Sequence, residues 1–271
     1  MRRIASRQNP SVSRFRAAAR RETADVVLLD GAHLVAEAID AGVRLREIAV
    51  AAAAVDDAEI ARLLRRIDPS ATDIVTATAP VMAAISPVRS PSAIVALAER
   101  PNTNASAVFG STPLVMVACD IQDPGNVGAI VRVAEAAGAT GVIVAGASAD
   151  PFGWKALRGS MGSALRLPVS VERNGFAPTA LKRHGCTVIA TVPRGGTPLY
   201  DADLSGPVAI LIGGEGQGLS AAMVAEADQR VTIPMRPPVE SLNTAVTAAL
   251  LLYEAQRQRS RPEASHGLTL S

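Results

Sequence analysis

The sequence predicts an α/β protein of two domains: a small first domain, then a domain built on a mostly parallel sheet. Three observations lead there. At 271 residues, the chain has room for two domains of ordinary size. Strand-like and helix-like segments alternate in both halves, the pattern of strands joined by helical crossovers. The strand-like runs of the second half are also continuously apolar, as expected of strands covered on both faces.

In the first hundred residues, Ala24–Leu29 reads as a strand, Ala32–Ala41 as a helix and Glu47–Ala51 as a strand. A helix with acids in its first turn follows at about Asp57–Ile67. Ile74–Ala77 then reads as a strand, Pro80–Ile85 as a short helix and Ala93–Leu97 as a last strand. Residues 101–112 are dense in polar turn-formers and read as a linker. The second alternation has strands at Leu114–Cys119, Gly141–Ala145, Thr187–Val192, Val208–Ile212 and Val231–Ile233. Its helices fall near Val127–Ala137, Pro178–Arg183, Ser220–Ala227 and Leu242–Arg257, with a mixed segment running up to Val171. The expected layout is therefore a first domain over 1–100, the linker, a second domain over 113–259 and a disordered polar tail over 260–271.

Composition narrows the function. The net charge of +2 says little, but residues 1–21 hold seven arginines and no acid. Such a stretch suits a phosphate-contacting arm, a solvated terminus or a transit peptide. Aromatic residues make up only 3% of the chain, which argues against a base-stacking platform for single strands. No apolar run reaches the roughly 18 residues that cross a bilayer, so no membrane partner is expected. Cys119 and Cys186 lie in apolar strand-like runs and read as buried thiols, and His33, His184 and His266 are too dispersed for a metal site.

Three segments following predicted strands carry the chemistry, because ligands of parallel sheets bind beyond the carboxyl ends of the strands. In the first, Asp123-Pro-Gly turns the chain and Asn126 is placed to cap the next helix, while Gly128 allows a close approach. Arg132 lies six residues beyond Asn126, about 240° around an ideal helix, so the two can meet one ligand only if Asn126 sits outside the helix. The bland alternative is a capped helix with an Arg132–Glu135 surface pair. The second segment, Gly213-Gly214-Glu215-Gly216-Gln217-Gly218, lacks the Lys-Ser/Thr of a phosphate loop and the acid about 20 residues on of a nicotinamide site. A carboxylate at Glu215 would repel a pyrophosphate and suits a cationic or hydroxyl-rich ligand. In the third, Ile233-Pro-Met235 leads to Ser241-Leu242-Asn243, where Ser241 would cap the last helix and Asn243 would point toward the loop. Leu242, Val246, Ala249, Leu250 and Tyr253 form an apolar face on that helix, with core packing as the default and a dimer interface as the alternative. Ser160 is no hydrolase nucleophile, because Arg158 stands where the nucleophile elbow needs glycine.

The ordered set Asn126-x-Gly128-Ala129-Ile130-x-Arg132, Gly213-Gly214-Glu215-Gly216-x-Gly218-Leu219 and Ile233-Pro-Met235…Ser241-Leu242-Asn243 resembles the SpoU (TrmH-type) RNA 2′-O-ribose methyltransferases of the SPOUT superfamily. Ser6-Arg-Gln-Asn-Pro10, Leu29-Asp-Gly31 and Ile85-Ser-Pro-Val resemble that family's substrate-binding domain, so the likeness covers nearly the whole chain and speaks against a transit peptide. Two departures stand out. Aspartate replaces a frequent glutamate at Asp30, and Gly153-Trp154-Lys155 stands where Ser-Pro-Lys is common.

The resemblance implies a homodimeric enzyme with a trefoil knot in the second domain, S-adenosyl-L-methionine as cofactor and RNA as partner, most readily 23S ribosomal RNA in the cytoplasm. It assigns Arg132, Asn126, Glu215, Ser241 and Asn243 to catalysis, and the cofactor to Thr191, Val192, Gly213, Gly214, Ile233, Met235 and Leu242. Arg7, Arg14, Arg16, Lys155 and Arg158 are the expected RNA contacts, and Trp154 could stack on a base or simply pack. A transfer-RNA methyltransferase, a non-catalytic RNA-binding or ribosome-assembly protein and a dehydrogenase are the rival readings.

Overall fold

The computed structural model describes residues 1–102, 104–174 and 176–260. The expected tail at 260–271 thus lies outside the described residues except for Ser260. The chain divides into two compact units that do not follow the sequence linearly. The first holds Met1–Asn104, Gln122–Arg132 and Ala149–Val169; the second holds Ala105–Ile121, Val133–Ser148 and the chain from Ser170 onward.

The first unit is built on five strands: β1 (Arg2–Ile4), β2 (Val26–Asp30), β3 (Leu45–Ala51), β4 (Asp73–Ala77) and β5 (Ile94–Glu99). Their order is β1-β4-β3-β5-β2, with β5 antiparallel to both neighbours. The arginine-rich start is not an extended arm. Arg2–Ile4 pairs with β4, and Pro10–Arg20 forms helix α1. Asn9 caps α1 by accepting from the Ser11 amide, and Pro10 supplies a preset first helical φ. Val12, Phe15 and Ala18 then fall on one buried face. Helices α2 (Ala32–Asp40), α3 (Ala58–Leu64) and α4 (Ala79–Ile85) complete the alternation read from the sequence.

The second unit carries seven strands in the order β10-β12-β9-β11-β6-β7-β8. These are β6 (Leu114–Cys119), β7 (Gly141–Ala145), β8 (Val169–Glu172), β9 (Thr187–Thr191), β10 (Thr197–Pro198), β11 (Val208–Gly213) and β12 (Gln229–Thr232). The pairs β6–β7, β6–β11, β9–β11, β9–β12 and β10–β12 are all parallel. Every residue of β6 and β7 is buried, which explains their unbroken apolar runs. Helix α5 (Pro124–Ala136) follows β6 in sequence with Pro124–Arg132 in the first unit, where α6 (Trp154–Ser160) and α7 (Ser163–Arg166) also lie and fill the segment read as mixed. Helices α8 (Thr179–Lys182), α9 (Ala221–Glu226) and α10 (Thr244–Arg259) complete the chain. Between Asn104 and Thr112, Ala105–Val108 forms a 3-10 turn whose Val108 is buried with Phe109 against the second unit's core. Cys119 and Cys186 are free and buried.

The last helix turns a different face inward from the one expected. Its buried residues include Ala248, Leu251, Leu252 and Ala255, whereas Val246 is 48% and Tyr253 50% exposed. Packing in the core is thereby ruled out for Val246 and Tyr253.

Candidate active site

Parallel pairing sets the carboxyl ends of the second unit's strands along one edge. Gly213 of β11 stands level with Cys119 of β6, and Thr191 of β9 level with Val231 of β12. Asp120, just past β6, holds a left-handed backbone at φ 57°, a conformation that costs a non-glycine residue free energy and is found most often where geometry is over-determined. Its carboxylate accepts from the Ala147 amide at 2.8 Å.

The glycine loop closes on itself. The Gly218 amide donates to the Gly214 carbonyl at 3.0 Å. A methyl group at Gly213 would lie 2.1 Å from the Gly218 carbonyl carbon, and one at Gly214 would lie 2.4 Å from the Asp120 oxygen. Both glycines therefore make room for the protein's own backbone, and Glu215 sits exposed at the tip.

Two cap assignments need correction. Helix α5 starts at Pro124, and its cap is Asp123, whose carboxylate accepts from the Asn126 amide at 2.9 Å. Asn126 thus lies within the first turn, and Arg132 follows on the same helix. Arg132 is exposed. At the last helix the cap is Asn243 rather than Ser241. Its side-chain oxygen accepts from Ala245 at 2.9 Å and Val246 at 3.3 Å. Ser241 is exposed, two residues before the cap Asn243.

The close approach expected at Gly128 is made by protein. A methyl there would meet the Ala156 carbonyl oxygen at 2.3 Å and the Ser160 nitrogen at 2.9 Å. α5 and α6 therefore pack backbone to backbone.

A cavity of about 470 Å³ opens in the second unit beyond β9 and β12. Ile233 and Met235 line it with Pro193, Pro237, Pro238 and Val239, and Arg194 and Glu240 bring charge to it. Its volume suits a small organic ligand. Thr191, Val192, Gly213, Gly214 and Leu242 are not among its lining residues. The Thr191 hydroxyl donates to the Leu211 carbonyl at 2.8 Å, and the Val192 amide to the Val231 carbonyl at 2.9 Å. The described residues contain no cluster of three or more His, Cys, Asp or Glu that could hold a metal.

The expected RNA contacts divide into two groups. Arg7 donates to the Pro80 carbonyl at 3.2 Å, Arg16 to the Ala84 carbonyl at 3.0 Å, and Arg14 to Glu47 at 2.8 Å. Arg14 ties α1 to β3, Arg16 ties it to α4, and Arg7 ties the turn before α1 to α4. Lys155 and Arg158 lie on α6 and are exposed, and Arg158 also faces the Asp30 carboxylate at 3.6 Å. Trp154 is partly buried against the first unit's core, with the Lys155 ammonium 5.5 Å from its ring centre. Asp150, with its Arg100 partner, was absent from the sequence reading; an acid just before a Pro-Phe-Gly turn was its only signal.

Comparison with known proteins completes the picture. Residues 113–253 match the SpoU rRNA Methylase family, and residues 3–96 match the MRM3-like substrate binding domain. A Bacillus subtilis relative, the 23S rRNA (guanosine(2553)-2′-O)-methyltransferase RlmP, is 30% identical over 86% of this chain and 89% of its own length. An uncharacterized tRNA/rRNA methyltransferase of Synechocystis is 42% identical over 51% of each chain, so this chain spans about half of that relative. Among solved structures, an RNA 2′-O ribose methyltransferase aligns with a TM-score of 0.79 and 32% identity over 95% of this chain and 99% of that one. The SpoU methyltransferase AviRb of Streptomyces viridochromogenes, solved with S-adenosylmethionine, aligns with a TM-score of 0.84 and 28% identity over 93% and 98%. The chain belongs to the SpoU family of RNA 2′-O-methyltransferases, enzymes that use S-adenosylmethionine.

Proposed function

We propose that this enzyme methylates a ribose 2′-hydroxyl of 23S ribosomal RNA in the cytoplasm, as a homodimer with a knotted catalytic domain. One observation carries the assignment of the reacting centre. Arg132 stands exposed on helix α5, which follows the parallel strand β6, inside the stretch that matches the methylase family. The full-length likeness to a 23S rRNA methyltransferase supports the choice of RNA. The two matched stretches support a division into a substrate domain over 1–100 and a catalytic domain over 113–259. No helix among the described residues is long and apolar enough to cross a membrane, which fits work on ribosomal RNA.

The cavity fits the cofactor in size and chemistry. Ile233, Met235 and Pro193 offer apolar walls to a flat base, and at the cavity's edge Arg194 and Glu240 pair with each other at 3.2 Å. Thr191, Val192, Gly213, Gly214 and Leu242 would add main-chain contacts. When bound, S-adenosylmethionine supplies an electrophilic methyl group on a cationic sulfur.

The chain's own task is to present the hydroxyl and to stabilise the charge it develops. A guanidinium gives up its proton far too reluctantly to act as a base at neutral pH, so the role proposed for Arg132 is that of a donor. Its forked donors instead steady the forming alkoxide, and the hydroxyl proton passes to another acceptor. Asn126, Glu215, Ser241 and Asn243 position ribose, phosphate and arginine. Arg7, Arg14, Arg16, Lys155 and Arg158 contact the RNA backbone, with Arg16 the least exposed of the five. The exposed Val246 and Tyr253 of α10 supply an apolar face for the second copy.

Arg132→Ala should abolish methyl transfer while calorimetry still registers S-adenosylmethionine binding, and Arg132→Lys should fail too, because a point charge lacks the fork. Undiminished transfer by Arg132→Ala would remove it from the mechanism. Mapping 2′-O-methyls in RNA from cells with and without the protein identifies the target. Tyr253→Asp should shift the protein to monomers in light scattering; an unchanged mass would place the dimer contact elsewhere.

A further inference from the structure

We infer that residues 150–166 form a rigid strap through which the substrate-binding fold positions the catalytic helix α5, an inference that rests on the methyltransferase reading above. Every contact involved lies within the first unit. The strap is fastened at both ends and in the middle. At its start, Asp150 takes a two-pronged pair from Arg100, at 2.9 and 2.8 Å. That pair is largely shielded, with side-chain exposures of 24% and 10%. The same Asp150 accepts from the Phe152 amide at 3.0 Å, and the Arg100 guanidinium lies 4.7 Å from the Phe152 ring centre. In the middle, Arg158 faces the fully buried Asp30 carboxylate at 3.6 Å, and Trp154 packs on the core that includes Phe15 and Leu28. At the far end, Arg166 pairs with Glu37, and Gly162 packs so tightly that a methyl there would lie 2.7 Å from the Glu37 side chain.

The strap's other face carries α5. Gly128 meets the α6 backbone at Ala156 and Ser160, and Gly159 meets Gly125 in return, with a methyl at Gly159 falling 3.2 Å from the Gly125 carbonyl oxygen. Backbone packed on backbone transmits position stiffly, because no side chain is present to adjust its rotamer. Asn126 and Arg132 ride on that helix. The substrate-binding fold therefore acts as a jig for the reacting arginine as well as a grip on RNA. Arg100 and Asp150 are positioning residues, since they act through α6 and α5.

The test is Asp150→Asn in the full-length protein, which keeps the side chain's size and removes its charge. The turnover number on RNA should fall about tenfold or more, with the Michaelis constant for RNA and the cofactor Kd each within about twofold of the parent, because a small misplacement of a reacting group costs rate rather than binding. Hydrogen exchange should speed up at residues 124–132 and stay unchanged in β9 and β11. An unchanged turnover number, a loss confined to the Michaelis constant, or exchange that rises equally everywhere would overturn the inference. Should Asp150→Asn fail to fold, Arg166→Gln cuts the strap at its other end and is read the same way. If the parent itself binds cofactor but methylates no RNA, the functional reading fails, while the exchange measurement still judges the strap.

Discussion

The two units order their chains by different means. The second rests on parallel strands that are apolar on both faces, with β6 and β7 buried along their whole length. The first uses a mixed sheet and buries three carboxylates, Asp30, Glu47 and Asp150, each facing an arginine distant in sequence. Buried charge stabilises a fold only when paired with good geometry, and breaking one partner is costly. Charge in the first unit therefore defines which segments meet, whereas in the second unit apolar area and strand register do so.

Glycine packing offers the harshest test, because both units use it. Gly213→Ala in the second unit and Gly128→Ala in the first would each press a methyl into backbone, at 2.1 and 2.3 Å. Each should cost about 3 kcal/mol or more in denaturant unfolding. A milder effect of Gly128→Ala would show that α5 and α6 can separate, and would weaken the contrast between the units.

Next come Asp150→Ala and Leu211→Ala. The first breaks a shielded ion pair and the second opens a cavity in a fully buried strand, and each should cost about 3 kcal/mol. The units separate in the remedy. Adding Arg100→Met to Asp150→Ala should recover part of the loss, because it removes the stranded charge. Unfolding that stays as weak in the double variant would mean that the pair is not the organising contact.

The smallest effect concerns Cys119. Burial, with a lesser contribution from neighbouring Asp120, pushes its thiol from 9.0 up to about 12. The folded state holds that proton where the unfolded chain releases it. This contribution to stability is complete below pH 9.0 and is lost as pH rises toward about 12. Iodoacetamide should leave Cys119 unmodified in the folded protein at pH 8 and label it once the protein is unfolded. Rapid labelling under native conditions would mean that the second unit's core opens readily.

Five of the seven strands of the second unit can be read from the residues alone; β8 and β10 cannot. Leu114–Cys119 and Gly141–Ala145 were legible residue for residue, because a run buried on both faces has nothing to hide behind. The sequence also carried the family, through motifs whose order needs no coordinates. Helix α1 was equally present in Asn9-Pro10 and in the spacing of Val12, Phe15 and Ala18, but seven arginines masked it. Tertiary structure alone decided that Asp123 and Asn243 are the caps, since the choice among neighbouring cap-forming residues depends on where each helix begins. It alone decided which face of α10 turns inward: with apolar residues nearly all round, periodicity leaves that choice to packing. It also brought Arg100 to Asp150 and Arg158 to Asp30. Charge attracts through space, and no local pattern records which of many arginines a buried carboxylate will meet.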